Sequence, residues 1–263
     1  MNGKSCSVRI RLLIGFGMFF LLFSGVANGF DIFLEPANVQ RNQGEKVRIH
    51  IYANPASNLI SMGVKVTFDS AVLQVAVAEK NTDFASGFVM DADGDEATTG
   101  DQYTTPDVEI DNSAGTVIII GGRLMGSATN GLSGKVLLGW IVFDAIGTGN
   151  SSLNVDLAKY HPNDPTETFD NFVQLDGTVD EPANVPGDLG SVCVLTSGAC
   201  TADVNDNGYT DAVDFSMLRV AMGKGFPDPV YNVKCDFNAN GYVDSVDFAI
   251  MRSMMGKPCP SCP

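Results

Sequence analysis

The chain has 263 residues, a formal net charge of −15, six cysteines and one tryptophan, and 44% of it is hydrophobic. That length allows more than one domain, and the apolar share is enough for a buried core. The acidity argues against nucleic acid and anionic membrane as partners, because both require basic patches.

Residues 1–29 read as a secretory signal. Lys4, Arg9 and Arg11 form a basic n-region, Leu12 to Phe23 an apolar h-region, and Ala27-Asn28-Gly29 a small-x-small cleavage site. The apolar run is shorter than the roughly 20 residues of a membrane span. The mature protein is therefore expected to be secreted, extracellular or at the cell surface, with an uncleaved anchor as the alternative. Cys6 leaves with this segment, and Cys193, Cys200, Cys235, Cys259 and Cys262 remain. In an exported chain they read as disulfides stapling a small domain, with a zinc site at Cys259-Pro-Ser-Cys262 as the competing reading. An odd number leaves one thiol over.

Residues 30–179 carry strand signals. In Lys46 to Tyr52, Val47, Ile49 and Ile51 point one way and Arg48, His50 and Tyr52 the other, and Ser61 to Phe68 alternates again. Thr116 to Ile120 and Val136 to Phe143 are near-continuous apolar runs suited to central strands, and Leu153 to Leu157 and Phe172 to Val179 add two more. Short strands separated by Gly, Asn, Asp and Pro predict a mainly β fold, a jelly-roll-like β-sandwich. Asp91, Asp93, Asp95 and Glu96, within an acidic insertion over 91–111, begin like a calcium loop but lack an ordered second half, so a solvated loop is expected. His50 and His161 read as surface residues, Trp140 sits in a run too apolar for a surface platform, and no nucleophile elbow or metal-protease helix is present. No catalytic residue is assigned. Residues 180–192 contain two prolines and read as an extended linker.

The segment 193–263 holds a repeat. Asp203-Val-Asn205-Asp-Asn207-Gly208-Tyr209-Thr-Asp211-Ala-Val-Asp214 is matched by Asp236-Phe-Asn238-Ala-Asn240-Gly241-Tyr242-Val-Asp244-Ser-Val-Asp247. A hard cation such as Ca²⁺ takes about six to eight oxygens, and an EF-hand loop offers them from positions 1, 3, 5, 7, 9 and 12, with Gly at 6 for the turn. Asp203, Asn205, Asn207, the Tyr209 carbonyl, Asp211 and Asp214 fill those positions once. Asp236, Asn238, Asn240, the Tyr242 carbonyl, Asp244 and Asp247 fill them again, which predicts two Ca²⁺ ions. Asp at position 12 is one methylene shorter than the usual bidentate Glu. After each loop the pattern turns helical, with Phe215, Leu218 and Met222, then Phe248, Met251 and Met255, at three- and four-residue spacing, and Gly223 and Gly256 as stops. No comparable helix precedes the first loop.

Two loops with only their following helices, joined by Gly223 to Pro229, resemble a type I dockerin domain over Cys200 to Lys257. The resemblance implies a small α-helical, calcium-dependent, non-catalytic plug that binds a cohesin. It also places the contacts at loop positions 10 and 11, Ala212-Val213 and Ser245-Val246, and on the following helices, which carry Arg219 and Arg252. The strand region is similar to cohesins and to the carbohydrate-binding modules that share their sandwich, through Val39 to Ile49, Ile60 to Leu73 and Gly131 to Gly147. That implies protein recognition or, alternatively, polysaccharide binding by the sandwich. The sparse aromatics favour protein. The expected chain is thus an assembly protein with a signal at 1–29, a sandwich at 30–179, a linker at 180–192 and a calcium module at 193–263.

Overall fold

The computed structural model describes residues 29–84, 108–122, 130–158, 160–161, 164–168, 172–180, 182–196, 198 and 201–260. The signal segment and the acidic run Asp91 to Glu96 lie outside them.

The first module is built on β3 (Lys46–Thr67), a strand of 22 residues. The sequence reads as two strands here, but the chain continues through Asn54-Pro55 with shifts of register between Ala53 and Ala56 and between Ala56 and Leu59. Proline cannot donate to a ladder and bulges bend a strand, so one continuous strand can serve two layers. Its first half pairs antiparallel with β1 (Asp31–Glu35) and β7 (Leu132–Ala145), and β7 also pairs with β4 (Leu73–Lys80). Its second half lies between β6 (Thr116–Gly122) and β8 (Gly149–Leu157), and β6 continues to β5 (Val108–Asp111).

Alternation decides what each face meets. Val47, Ile49, Ile51 and Ala53 from the first half, and Val64 and Val66 from the second, are buried with Val117, Ile119, Leu138, Ile141, Phe143, Leu153 and Val155 in one core. Two phenylalanines far apart in sequence, Phe30 and Phe172, close one part of that core with their rings 5.0 Å apart, edge to face.

Beyond β8, β9 (Tyr160–His161) and β10 (Asp164–Thr168) form a small separate ribbon and β11 (Val173–Gln174) pairs with β3. His161, expected in a loop, is therefore in a strand. The stretch expected to be a linker is different in kind. Gly187–Leu195 forms β12, antiparallel to β8 and parallel to β2 (Asn38–Asn42). Its Val192, Cys193 and Val194 are buried, so the sandwich runs to residue 195 and only a few residues separate it from the first loop at Asp203.

The C-terminal module has two ten-residue helices, α1 (Ala212–Ala221) and α2 (Ser245–Met254). Their buried stripes are Asp214, Leu218 and Ala221, and Asp247, Met251 and Met254. Phe215 and Met255, assigned to the apolar stripe from sequence, are instead 36% and 42% exposed. The stripe is rotated because each helix starts with a buried carboxylate at its third position, which takes the place of an apolar residue. Leu218, Ala221, Phe237, Val243, Met251 and Met254 form a second core, separate from the first.

Candidate metal centre

The two loops carry the same hydrogen-bond network. In the first, Asp203 accepts from the backbone N–H groups of Asn207 (3.0 Å) and Gly208 (2.6 Å), Asn205 Oδ1 accepts from Asn207 N (3.0 Å), and Asn207 Oδ1 from Tyr209 N (3.0 Å). In the second, Asp236 accepts from Asn240 N (3.1 Å) and Gly241 N (2.8 Å), Asn238 Oδ1 from Asn240 N (3.0 Å), and Asn240 Oδ1 from Tyr242 N (2.8 Å). The turn requires position 6 in the left-handed region. Gly208 at φ 92° and Gly241 at φ 91° supply it without a Cβ penalty.

Position 12 has two tasks. Asp214 accepts from Val204 N (2.8 Å) and Asn205 N (3.1 Å) with Oδ1, and from Asp211 N (2.8 Å) with Oδ2. Asp247 repeats this with Phe237 N (2.7 Å), Asn238 N (3.3 Å) and Asp244 N (2.8 Å). Asp211 and Asp244 are the N-caps of α1 and α2, so each position-9 and position-12 pair forms a capping box. The shorter Asp at position 12 thereby both faces the loop and starts the helix.

The repeated Met-Gly-Lys after each helix has a structural role that the sequence shows only as a recurrence. Thr210, at position 8 of the first loop, exchanges backbone bonds with the residues ending α2: Thr210 N donates to Lys257 O (3.1 Å) and Gly256 N to Thr210 O (2.8 Å). Val243 does the same with the residues ending α1, through Gly223 N to Val243 O (2.8 Å) and Val243 N to Lys224 O (2.8 Å). Each loop is clamped by the other repeat's tail, which gives the module its approximate two-fold symmetry.

These residues suit a hard cation. Asp214, Asp236 and Asp247 are fully buried carboxylates. Burial pushes the Asp247 carboxyl up, against the pull of its backbone N–H donors. Asp214 Oδ2 and Asp247 Oδ2 each accept a single bond, which leaves lone-pair capacity for an ion. Among the described residues no group of three or more His, Cys, Asp or Glu side chains is gathered as a metal site. EF-hand-type loops use amide and main-chain oxygens as well as carboxylates, and all-oxygen ligation of that kind selects Ca²⁺ over a softer metal.

Residues 201–255 match the family model of the dockerin type I domain. Type I dockerins bind calcium, in keeping with the oxygen donors of both loops. No curated protein matches the chain. Among solved structures, it is similar to a type I cohesin–dockerin complex from Clostridium thermocellum (TM-score 0.44, 11% identity, 64% of this chain and 100% of that chain). It is also similar to the sixth cohesin of scaffoldin B from Acetivibrio cellulolyticus in complex with a Cel5 dockerin (TM-score 0.42, 14% identity, 64% and 99%). A non-cellulosomal cohesin from the archaeon Archaeoglobus fulgidus gives a TM-score of 0.41 at 11% identity, over 65% and 94% of the two chains.

The residues expected to contact a partner of the dockerin module are open to solvent. Ala212, Val213, Arg219, Ser245, Val246 and Arg252 are all exposed, with Val213 at 52% and Val246 at 48%. Phe215 and Phe248 approach between the helices, their rings 5.9 Å apart.

The other side of the module rests on the sandwich. His50, expected on the surface, is only 2% exposed because Phe226 packs 4.7 Å and Tyr231 6.0 Å from its ring. Burial first, then the charges of Arg48 and Lys135, lowers its pKa to about 3, so the imidazole is neutral. Trp140 points out of the sheet, with Phe226 5.7 Å and the Arg48 guanidinium 5.9 Å from its ring. Sequence alone shows polar alternation at Arg48 and His50 and an apolar run around Trp140, but not the module that covers them.

The cysteines follow the disulfide reading. Cys193 and Cys259 each take part in a disulfide, which removes the zinc alternative at Cys259. Among the described residues Cys235 is the free, buried thiol, its pKa raised to about 12 mainly by burial.

Among the described residues no helix is long and apolar enough to cross a membrane.

Proposed function

We propose that this is a secreted, non-catalytic assembly protein. Its dockerin-type module binds two Ca²⁺ ions, one through Asp203, Asn205, Asn207, Tyr209, Asp211 and Asp214 and one through Asp236, Asn238, Asn240, Tyr242, Asp244 and Asp247, and then plugs into a cohesin-type protein. The sandwich is a second recognition module, for a protein ligand. The observation that carries the reading is the pair of equivalent, capped loop-and-helix units whose outer residues, Val213, Arg219, Val246 and Arg252, are exposed while the position-12 carboxylates, Asp214 and Asp247, are buried. Protein is favoured over polysaccharide for the sandwich because none of its aromatic side chains among the described residues offers an open platform. Trp140 is covered by Phe226, and the Lys135 ammonium lies 4.1 Å from the centre of the Tyr52 ring.

The test is capture of a cohesin-type partner by the full chain, with and without chelator, followed by titration calorimetry. Binding is expected only with Ca²⁺. Because the module is near two-fold, Arg219→Ala or Arg252→Ala alone should weaken binding by less than about threefold, and the double variant by far more than the product of the two. Complete loss from one single variant and none from the other would replace the two-faced plug with a single-faced one, and equal capture in chelator would overturn the reading.

A further inference from the structure

We propose that the outer face of the sandwich is a receptor for the second calcium loop of the same chain, so that calcium binding at that loop and docking of the two modules are coupled. This rests on the calcium reading of Asp236 to Asp247.

The first loop faces β2 across a narrow cleft, with Asp203 and Asp206 opposite Gln40 and Arg41, but the hydrogen bond and ring contact to the sandwich fall on the second repeat. Arg41 of β2, itself 2% exposed, lies with its guanidinium 5.8 Å from the ring of Phe237, which is position 2 of the loop. Arg48 of β3 donates to the carbonyl of Ala239, position 4, at 3.1 Å. Ala239 holds a left-handed φ of 56°, the conformation that Asp206 takes at the same position of the first loop with φ 60°, so the carbonyl offered to Arg48 belongs to the closed turn. A Cβ at Gly241 would stand 3.5 Å from Arg48 Nη2, whereas one at Gly208 in the first loop would meet nothing within 4 Å. The connector completes the link. Tyr231, whose ring lies against His50, donates its hydroxyl to Asp236 Oδ2 at 2.7 Å, the position-1 ligand. In the first repeat Asp206, the residue equivalent to Ala239, pairs instead with Lys234 of its own module at 2.6 Å.

Charge makes the coupling cooperative. The second loop carries three carboxylates, Asp236, Asp244 and Asp247, and one Ca²⁺ would neutralise two of those charges. Arg41, whose acidic neighbours are Glu45 first and then Asp236 and Asp247, adds a buried positive charge on the sandwich side. Removing the ion leaves mutually repelling carboxylates and an open turn, and Arg48 and Arg41 lose the conformation they bind. By reciprocity, docking must raise the calcium affinity of this loop by the same factor that calcium favours docking.

Trp140 is the only tryptophan in the chain and lies in the interface, so its emission reports docking while far-ultraviolet circular dichroism reports the helices. Calcium alone is titrated into the chelated full chain. Return of helical ellipticity together with a blue shift of Trp140 is expected. Helix recovery without any Trp140 response would overturn the coupling and leave the calcium reading standing, whereas no response in either signal would overturn both. Phe226→Ala should keep the helical response, lose the Trp140 response and weaken one of the two calcium sites about fivefold or more while sparing the other. Arg48→Ala, which leaves the module's own core untouched, should act in the same direction. Two unchanged calcium affinities in both variants would overturn the proposal.

Discussion

The two repeats of the C-terminal module agree at every loop donor and bond for bond in their turns, yet they are placed differently. The first pairs its Asp206 with Lys234 of its own module and faces β2 across a narrow cleft lined by Asp203, Asp206, Gln40 and Arg41, while the second gives its Phe237, its Ala239 carbonyl and the approach to Gly241 directly to the sandwich. Sequence symmetry therefore describes the fold of the module and not its surroundings. Equivalent ligands, set in unequal environments, are expected to bind their ions with unequal strength.

The largest contrast should appear at loop position 2. Val204 and Phe237 are both buried, at 3% and 4% exposure, but only Phe237 also lies against Arg41. In saturating Ca²⁺, Phe237→Ala should cost about 3–5 kcal/mol of module stability, and Val204→Ala about 2 kcal/mol. Denaturant unfolding followed by helical ellipticity measures both. Equal losses would mean that the second repeat gains nothing from its larger side chain or from the sandwich.

A smaller effect should come from pH. His50 has its pKa lowered to about 3 in the docked molecule from an ordinary 6.5, chiefly by burial. The undocked form therefore binds the extra proton. Docking should be at full strength above about pH 6.5 and weaken as pH falls towards 3, by at most about 1.4 kcal/mol per pH unit. Between pH 7 and pH 5, above the range in which ordinary carboxylates titrate, Trp140 emission in Ca²⁺ should move towards its undocked value. His50→Phe should flatten that profile. An identical profile in the variant would assign the pH response to other groups.

Much of this arrangement was legible before the structure. Val47, Ile49 and Ile51 alternate cleanly because one face of β3 meets the core, and the two loop turns are legible because they need Gly at position 6 and Asn side chains that accept from the backbone at fixed spacing. What escaped was non-local. β12 reads as linker because Pro186, Gly187 and Gly190 are breakers, while the pairing that makes it a strand comes from β2 and β8, far away in sequence. His50 and Trp140 occupy outward positions of their strands, and alternation cannot tell water from a second module on that side. The helix stripes were misplaced at Phe215 and Met255 because a fully buried aspartate at the third helical position breaks the rule that buried means apolar. The Met-Gly-Lys recurrence was visible, but its role as a clamp on the opposite loop depends on a symmetry that only the folded module shows.

The central claim is that two oxygen-lined loops require calcium to hold this module together. Calcium titration of the chelated full chain by calorimetry, with helical ellipticity recorded on the same samples, tests it most directly. The account predicts two ions bound per chain and a gain of helix that reaches its plateau only when both sites are filled. No heat of binding, with ellipticity unchanged between chelator and excess Ca²⁺, would contradict it.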